Sequence, residues 1–197
     1  MEALAKGIAA CEQCPLSQGR SRTFPGEGPP QQPDILFVGD KPSAEEAATG
    51  RPFEGSAGEL LTDMITAMGY ARGDVFVTTL TKCPPPKNRP PTRDEIKTCL
   101  PWLHQQIERL KPACIVTLGD AALAALQGDP TLKTNKARGM WRAYRGIPLM
   151  PTLHPDRLIQ APHAKREVWE DLKTVLKRLG RTPPPIKKRN PPGHEQS

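Results

Sequence analysis

Two apolar rhythms alternate along this chain. Ile35-Leu36-Phe37-Val38 is a short unbroken apolar run ending at Gly39, the pattern of a parallel strand buried on both faces. A helical rhythm follows, with Leu60, Leu61, Met64, Ile65 and Met68 on one stripe and Gly69 as its stop. Val75 to Leu80 reads as a second strand. Thr92 with Glu95 three residues on forms a capping box, which opens a long helix striped by Ile96, Leu100, Leu103, Ile107 and Leu110. Cys114 to Gly119 is a third strand leading into a short helix, Asp120 to Leu126. Ile147 to Pro151 is a weaker strand signal, because Pro148 and Pro151 remove ladder donors. A last helix carries Val168, Trp169, Leu172, Val175, Leu176 and Leu179.

Repeated strand–helix units predict an α/β fold: three layers, αβα, around a central, mainly parallel four-stranded sheet. Ligands of such sheets bind outside the carboxyl ends of the strands. That rule makes neighbours of Gly39 to Phe53, Thr78 to Pro91, the turn near Gly119, and Thr152 to Leu158. The last segment holds His154, which gains functional weight from sharing an edge with an acidic loop and a glycine-rich loop.

The 197 residues suit one domain, taken as residues 1–179. The tail, residues 180–197, is rich in proline and charge and is expected to be disordered. The net charge is +7, of which the tail holds +3 (Arg181, Lys187, Lys188 and Arg189 against Glu195). The rest leaves room for a basic patch and a polyanionic partner. No apolar run reaches membrane-spanning length, and Met1 to Ala10 lacks the pattern of a secretory leader. A cytoplasmic monomer with reduced thiols is the expectation.

Four of the five cysteines change the picture. Cys11 and Cys14 form a Cys-x-x-Cys pair, while Cys83 and Cys99 stand alone far downstream. Gathering four thiolates points to zinc or an iron–sulfur cluster rather than calcium or magnesium. Cys83 opens a rigid run, Cys83-Pro84-Pro85-Pro86-Lys87-Asn88-Arg89-Pro90, and Cys99 lies on the long helix, unlike the paired knuckles of a zinc ribbon. Lys87, Arg89 and Arg93 on that stiffened track supply charge suited to phosphates. Cys114, inside a strand, reads as a core residue.

Several motifs, in order, resemble the family 4 iron–sulfur uracil-DNA glycosylases. They are Gly39-Asp40-Lys41-Pro42-Ser43, Gly50 to Gly58, the Lys82-Cys83-Pro84-Pro85 run with Asn88-Arg89, Arg138-Gly139, and His154-Pro155 followed by Leu158. The resemblance spans about Cys11 to Leu179. It implies that Cys11, Cys14, Cys83 and Cys99 hold a [4Fe–4S] cluster and that the partner is uracil-containing DNA, single- or double-stranded. It also implies that Asp40 positions water and that His154 stabilises the departing base. Phe53 would stack on the extruded base, Glu46 would lie near its C5 edge, and Leu158 would wedge into the duplex gap. Lys41 would bind beside the substrate, with Lys87, Arg89 and Arg157 on the DNA.

The chain departs from the family pattern in three respects. Thr79 stands where the family reads the uracil edge with an asparagine amide, and a hydroxyl cannot make that bidentate pair. Asp156 replaces a serine beside a phosphate. In the first motif Asp40 replaces a longer glutamate, and Lys41 and Ser43 replace small residues. These leave two alternatives to uracil excision: action on another damaged base, or DNA binding with weak catalysis.

Overall fold

A computed structural model describes residues 1–43, 46 and 55–185. Five strands are described: β1 (Ile35–Gly39), β2 (Phe76–Thr79), β3 (Cys114–Leu118), β4 (Arg142–Tyr144) and β5 (Ile147–Thr152). They form one sheet in the order β2-β1-β3-β5-β4. β1 pairs in parallel with β2 and with β3, and β3 pairs in parallel with β5. These four strands are the ones expected. The fifth, β4, is antiparallel to β5 and was not visible in the sequence, because Arg-Ala-Tyr is too short and mixed to show a period.

The helices are α1 (Glu2–Ala9), α2 (Gly55–Ala67), α3 (Arg93–Leu110), α4 (Asp120–Gln127), α5 (Thr134–Ala137), α6 (Pro155–Gln160) and α7 (Lys165–Arg178). Alternate strand residues feed separate cores on the two faces of the sheet. Ile35, Phe37, Val77 and Val116 pack with Leu61 and Ile65 of α2 and with Val168, Leu172 and Val175 of α7. Leu36, Val38 and Ile115 face the other way, toward Leu103 and Ile107 of α3 and Leu123 of α4. The predicted capping box is present: Glu95 N–H donates to Thr92 Oγ1 at 3.2 Å, and Thr92 N–H donates to Glu95 Oε2 at 2.7 Å. The buried stripe of α3 begins differently from the expectation. Glu95 and Cys99 are buried, whereas Ile96 and Leu100 are only partly so, because the first turns of α3 face the cysteine loop.

The outer side of β2 is covered by the chain itself. Glu27 and Val77 exchange both backbone hydrogen bonds, at 3.0 and 2.8 Å, as an isolated antiparallel bridge. The approach is so close that a Cβ on Gly28 would lie 2.2 Å from the Val75 carbonyl oxygen. At the other edge, the Gln127 side-chain amide donates to the Ala143 carbonyl at 3.0 Å.

The expected tail begins with ordered contacts. Arg181 pairs with Asp34 at 3.0 Å and stacks 4.5 Å from the Tyr70 ring centre. Residues 186–197 lie outside the described residues. Among the described residues no helix is long and apolar enough to cross a membrane.

Candidate active site

Strand order reverses at β1, with β2 on one side and β3 on the other, so the crevice falls at the carboxyl ends of these strands. Asp40 follows β1 directly, and His154 follows β5 after one intervening residue. Between them lies Gly119, at the end of β3, with φ +88°. A Cβ there would sit 3.2 Å from His154 Cβ, so both the backbone angle and the space call for glycine.

His154 caps α6. Its Nδ1 accepts the Asp156 N–H at 3.2 Å, which places the ring proton on Nε2. That nitrogen is 3.9 Å from Asp40 Oδ1, a span that one bridging water can close. Asp40 Oδ1 also accepts the Lys41 N–H at 2.8 Å, which fixes the carboxylate. A positioned carboxylate thus faces a positioned N–H donor at one sheet edge. Asp156, expected near a phosphate, lies with Oδ2 3.4 Å from His154 Nδ1.

Other expected residues have different surroundings. Thr79 is buried, and its hydroxyl donates to the Thr81 carbonyl at 2.7 Å, so the proton needed to read a base edge is already committed. Glu46 is also buried. Its Oε2 accepts the Ser43 N–H at 3.0 Å, and its own N–H donates to Ser43 Oγ at 3.1 Å, a capping pair that shapes the first-motif loop. Phe53 lies outside the described residues. Lys41 Nζ donates to Asn88 Oδ1, tying the loop of Asp40 to the proline run.

Leu158, expected at the duplex gap, is 1% exposed and packed in the core with α2 and α7, because α6 turns it inward. The next residue, Ile159, is 43% exposed. Arg89, expected on the DNA track, instead forks onto both Glu95 carboxylate oxygens at 2.8 and 2.6 Å. The pairing holds the Glu95 carboxyl well below its usual range, at about 2. Lys87 is exposed, in a left-handed conformation with φ +54°. Arg157 is exposed on α6.

Cys11, Cys14, Cys83 and Cys99 line one small cavity, although 88 residues separate the first from the last. Three of their sulfurs accept N–H donors: Cys11 from Trp102 Nε1 at 3.3 Å, Cys83 from Arg20 Nη1 at 3.3 Å, and Cys99 from Lys82 N at 3.2 Å. Burial raises the Cys83 and Cys99 thiols, the latter to about 11, so they favour the neutral form until a metal replaces the proton. Among the described residues no three ligating side chains close around a single-ion position. Zinc at about 2.3 Å from each sulfur would need thiolates about 3.8 Å apart. Four sulfur donors on one cavity suit a thiophilic centre, zinc or an iron–sulfur cluster, rather than calcium or magnesium. Cys114 is fully buried in β3 away from this cavity, as expected.

Sequence reasoning missed Lys82. It is 1% exposed, and its ammonium donates to Thr78 Oγ1, the Thr79 carbonyl and Gln106 Oε1 at 2.7, 2.6 and 2.6 Å. Burial pulls it down to about 7. The motif run that it opens with Cys83 was legible, but its burial rests on partners that only the fold brings near.

Comparison with known proteins decides the family. Residues 25–173 match the Uracil DNA glycosylase superfamily. The chain belongs to that superfamily. Within it, a Type-4 uracil-DNA glycosylase of Pyrobaculum aerophilum is 39% identical over 181 residues, covering 87% of this chain and 91% of its own length. Its counterpart in Sulfurisphaera tokodaii is 38% identical over 183 residues, covering 89% and 83%. That of Thermotoga maritima is 37% identical over 188 residues, covering 91% and 96%. The α/β architecture and the glycosylase class expected from the motifs therefore hold.

Proposed function

We propose that this protein is a DNA-repair glycosylase that hydrolyses the N-glycosidic bond of uracil in DNA and leaves an abasic site. The observation that carries the reading is the Asp40–His154 pair, 3.9 Å apart at the strand ends, in a chain with type-4 relatives along most of its length. The target nucleotide must first leave the base stack. Asp40 holds a water against C1′ and accepts its proton as the new C1′–O bond forms. The C1′–N1 bond breaks, and its electron pair leaves with the base. His154 Nε2–H donates to the base oxygen on which that charge collects. Both interactions strengthen as the bond breaks, which makes them catalytic rather than merely adhesive.

Lys87 and Arg157 supply exposed positive charge for the DNA backbone. Arg89 works through Glu95, stiffening the loop that presents Lys87. With Leu158 in the core, the exposed Ile159 is the apolar side chain of α6 that faces solvent. Cys11, Cys14, Cys83 and Cys99 would hold a [4Fe–4S] cluster, which when bound ties the N-terminal segment to the β2 loop and α3. The N–H donors from Trp102, Arg20 and Lys82 support this assignment, since hydrogen bonds to cluster sulfurs are a recurrent feature.

The test is excision from oligonucleotides carrying uracil, thymine, hypoxanthine or oxidised pyrimidines, single- and double-stranded. Release of uracil above all others is expected. Release of another base alone, or DNA binding with no release, would overturn the reading.

A further inference from the structure

Beside the active-site edge lies a second cleft, of about 270 Å³, between α5, α6 and the start of α7. Its wall includes Leu153, the residue directly before His154, so it adjoins the reacting histidine through the backbone. Asn135, Arg157 and His163 converge on it from three separate segments. All three are exposed, and none has a side-chain hydrogen bond or ion pair among the described residues. Glu167 also lines the cleft, but Arg138 holds its carboxylate at 3.1 Å and bridges on to Asp171 at 3.0 Å.

Charge around the cleft favours an anion. Arg138 offsets Glu167, which leaves the Arg157 guanidinium as the uncompensated charge on the lining. A guanidinium, an imidazole and a carboxamide together offer a fork and two single donors, which suits an anion with several acceptor oxygens. We propose that this cleft binds a backbone phosphodiester of the DNA strand, next to the nucleotide presented to His154. The proposal rests on the DNA substrate assigned above and names Asn135 and His163 as contacts beside Arg157.

The experiment uses the full holoprotein and undamaged duplex, so that it does not depend on which base is released. Affinity is measured against salt for wild type, Asn135→Ala, and the double variant Arg157→Ala/His163→Ala. The expected result is that the double variant binds several-fold more weakly, with a log–log salt slope shallower by about 0.9, as for one lost phosphate contact. A series of duplexes, each with a single neutral methylphosphonate, then locates the contact. Wild type should lose affinity at one position where the double variant does not. Equal slopes, or identical methylphosphonate patterns, would overturn the proposal. So would inorganic phosphate that perturbs the His163 resonances while the variants bind DNA like wild type, since the cleft would then be a free-phosphate site. If wild type releases uracil and the variants bind normally, only this inference fails. If wild type binds through the cleft but releases no uracil, it is the proposed function that fails.

Discussion

At the residue scale, Thr79 and His154 show how one hydrogen bond decides a role. The Asp156 N–H on Nδ1 leaves His154 with its proton aimed into the crevice, whereas the Thr79 hydroxyl spends its proton on the Thr81 carbonyl. Replacing Asp40 by asparagine or His154 by alanine should slow single-turnover uracil release about 10²- to 10³-fold, with DNA affinity nearly unchanged. Weakened binding with an unaltered rate would remove both from catalysis. In the same assay Thr79→Asn should raise uracil release by about 2- to 10-fold, the worth of one recovered hydrogen bond. No gain would mean that the base edge is read elsewhere. His154 was legible because it follows a strand at the predicted edge, and Asp40 because its motif resembles the family's first motif. The sequence could not expose the committed hydroxyl of Thr79 or the ammonium of Lys82, because both depend on partners that only the fold brings near.

At the element scale, the capping box of α3 does more than start a helix. Glu95 satisfies the Thr92 N–H and also anchors Arg89, so one carboxylate joins the helix to the loop that follows Cys83. Its folded pKa is depressed, to about 2, so its contribution is present at neutral pH and is lost as pH falls from about 4.5 through about 2. Urea unfolding of Glu95→Gln should therefore show lower stability than wild type at pH 7, with the difference shrinking by pH 3. A constant difference across that range would mean that the ion pair contributes nothing. The box itself was legible, since Thr92 and Glu95 announce it by spacing. The inward turn of α6 was not, because six residues, Pro155–Gln160, are too few to reveal which of Leu158 and Ile159 faces the core.

At the scale of the whole molecule, the fold brings the N-terminal segment, the loop after β2 and α3 to one cavity lined by Cys11, Cys14, Cys83 and Cys99. Cys83→Ala should abolish iron and sulfide binding and lower soluble yield, because the N-terminal segment and the β2 loop lose their common anchor. Cys114→Ala should keep full iron and sulfide content and cost about 1 kcal/mol for the small cavity in β3. Iron and sulfide analysis of anaerobically purified protein checks both. Stoichiometric zinc without sulfide would overturn the cluster assignment. The architecture was readable at this scale because strand-like runs alternate with helical stripes along the chain.

The arm at Glu27 has a consequence for how the protein behaves in a crowd. Its bridge to Val77 occupies that residue's N–H and carbonyl within the four-residue β2, and at the opposite border β4 is three residues long with Gln127 on the Ala143 carbonyl. A passing extended segment therefore meets no long open ladder on either flank of the described sheet. The glycine that lets the arm lie so close acts as a guard: a side chain at Gly28 would lift the arm and open the β2 border to cross-chain pairing.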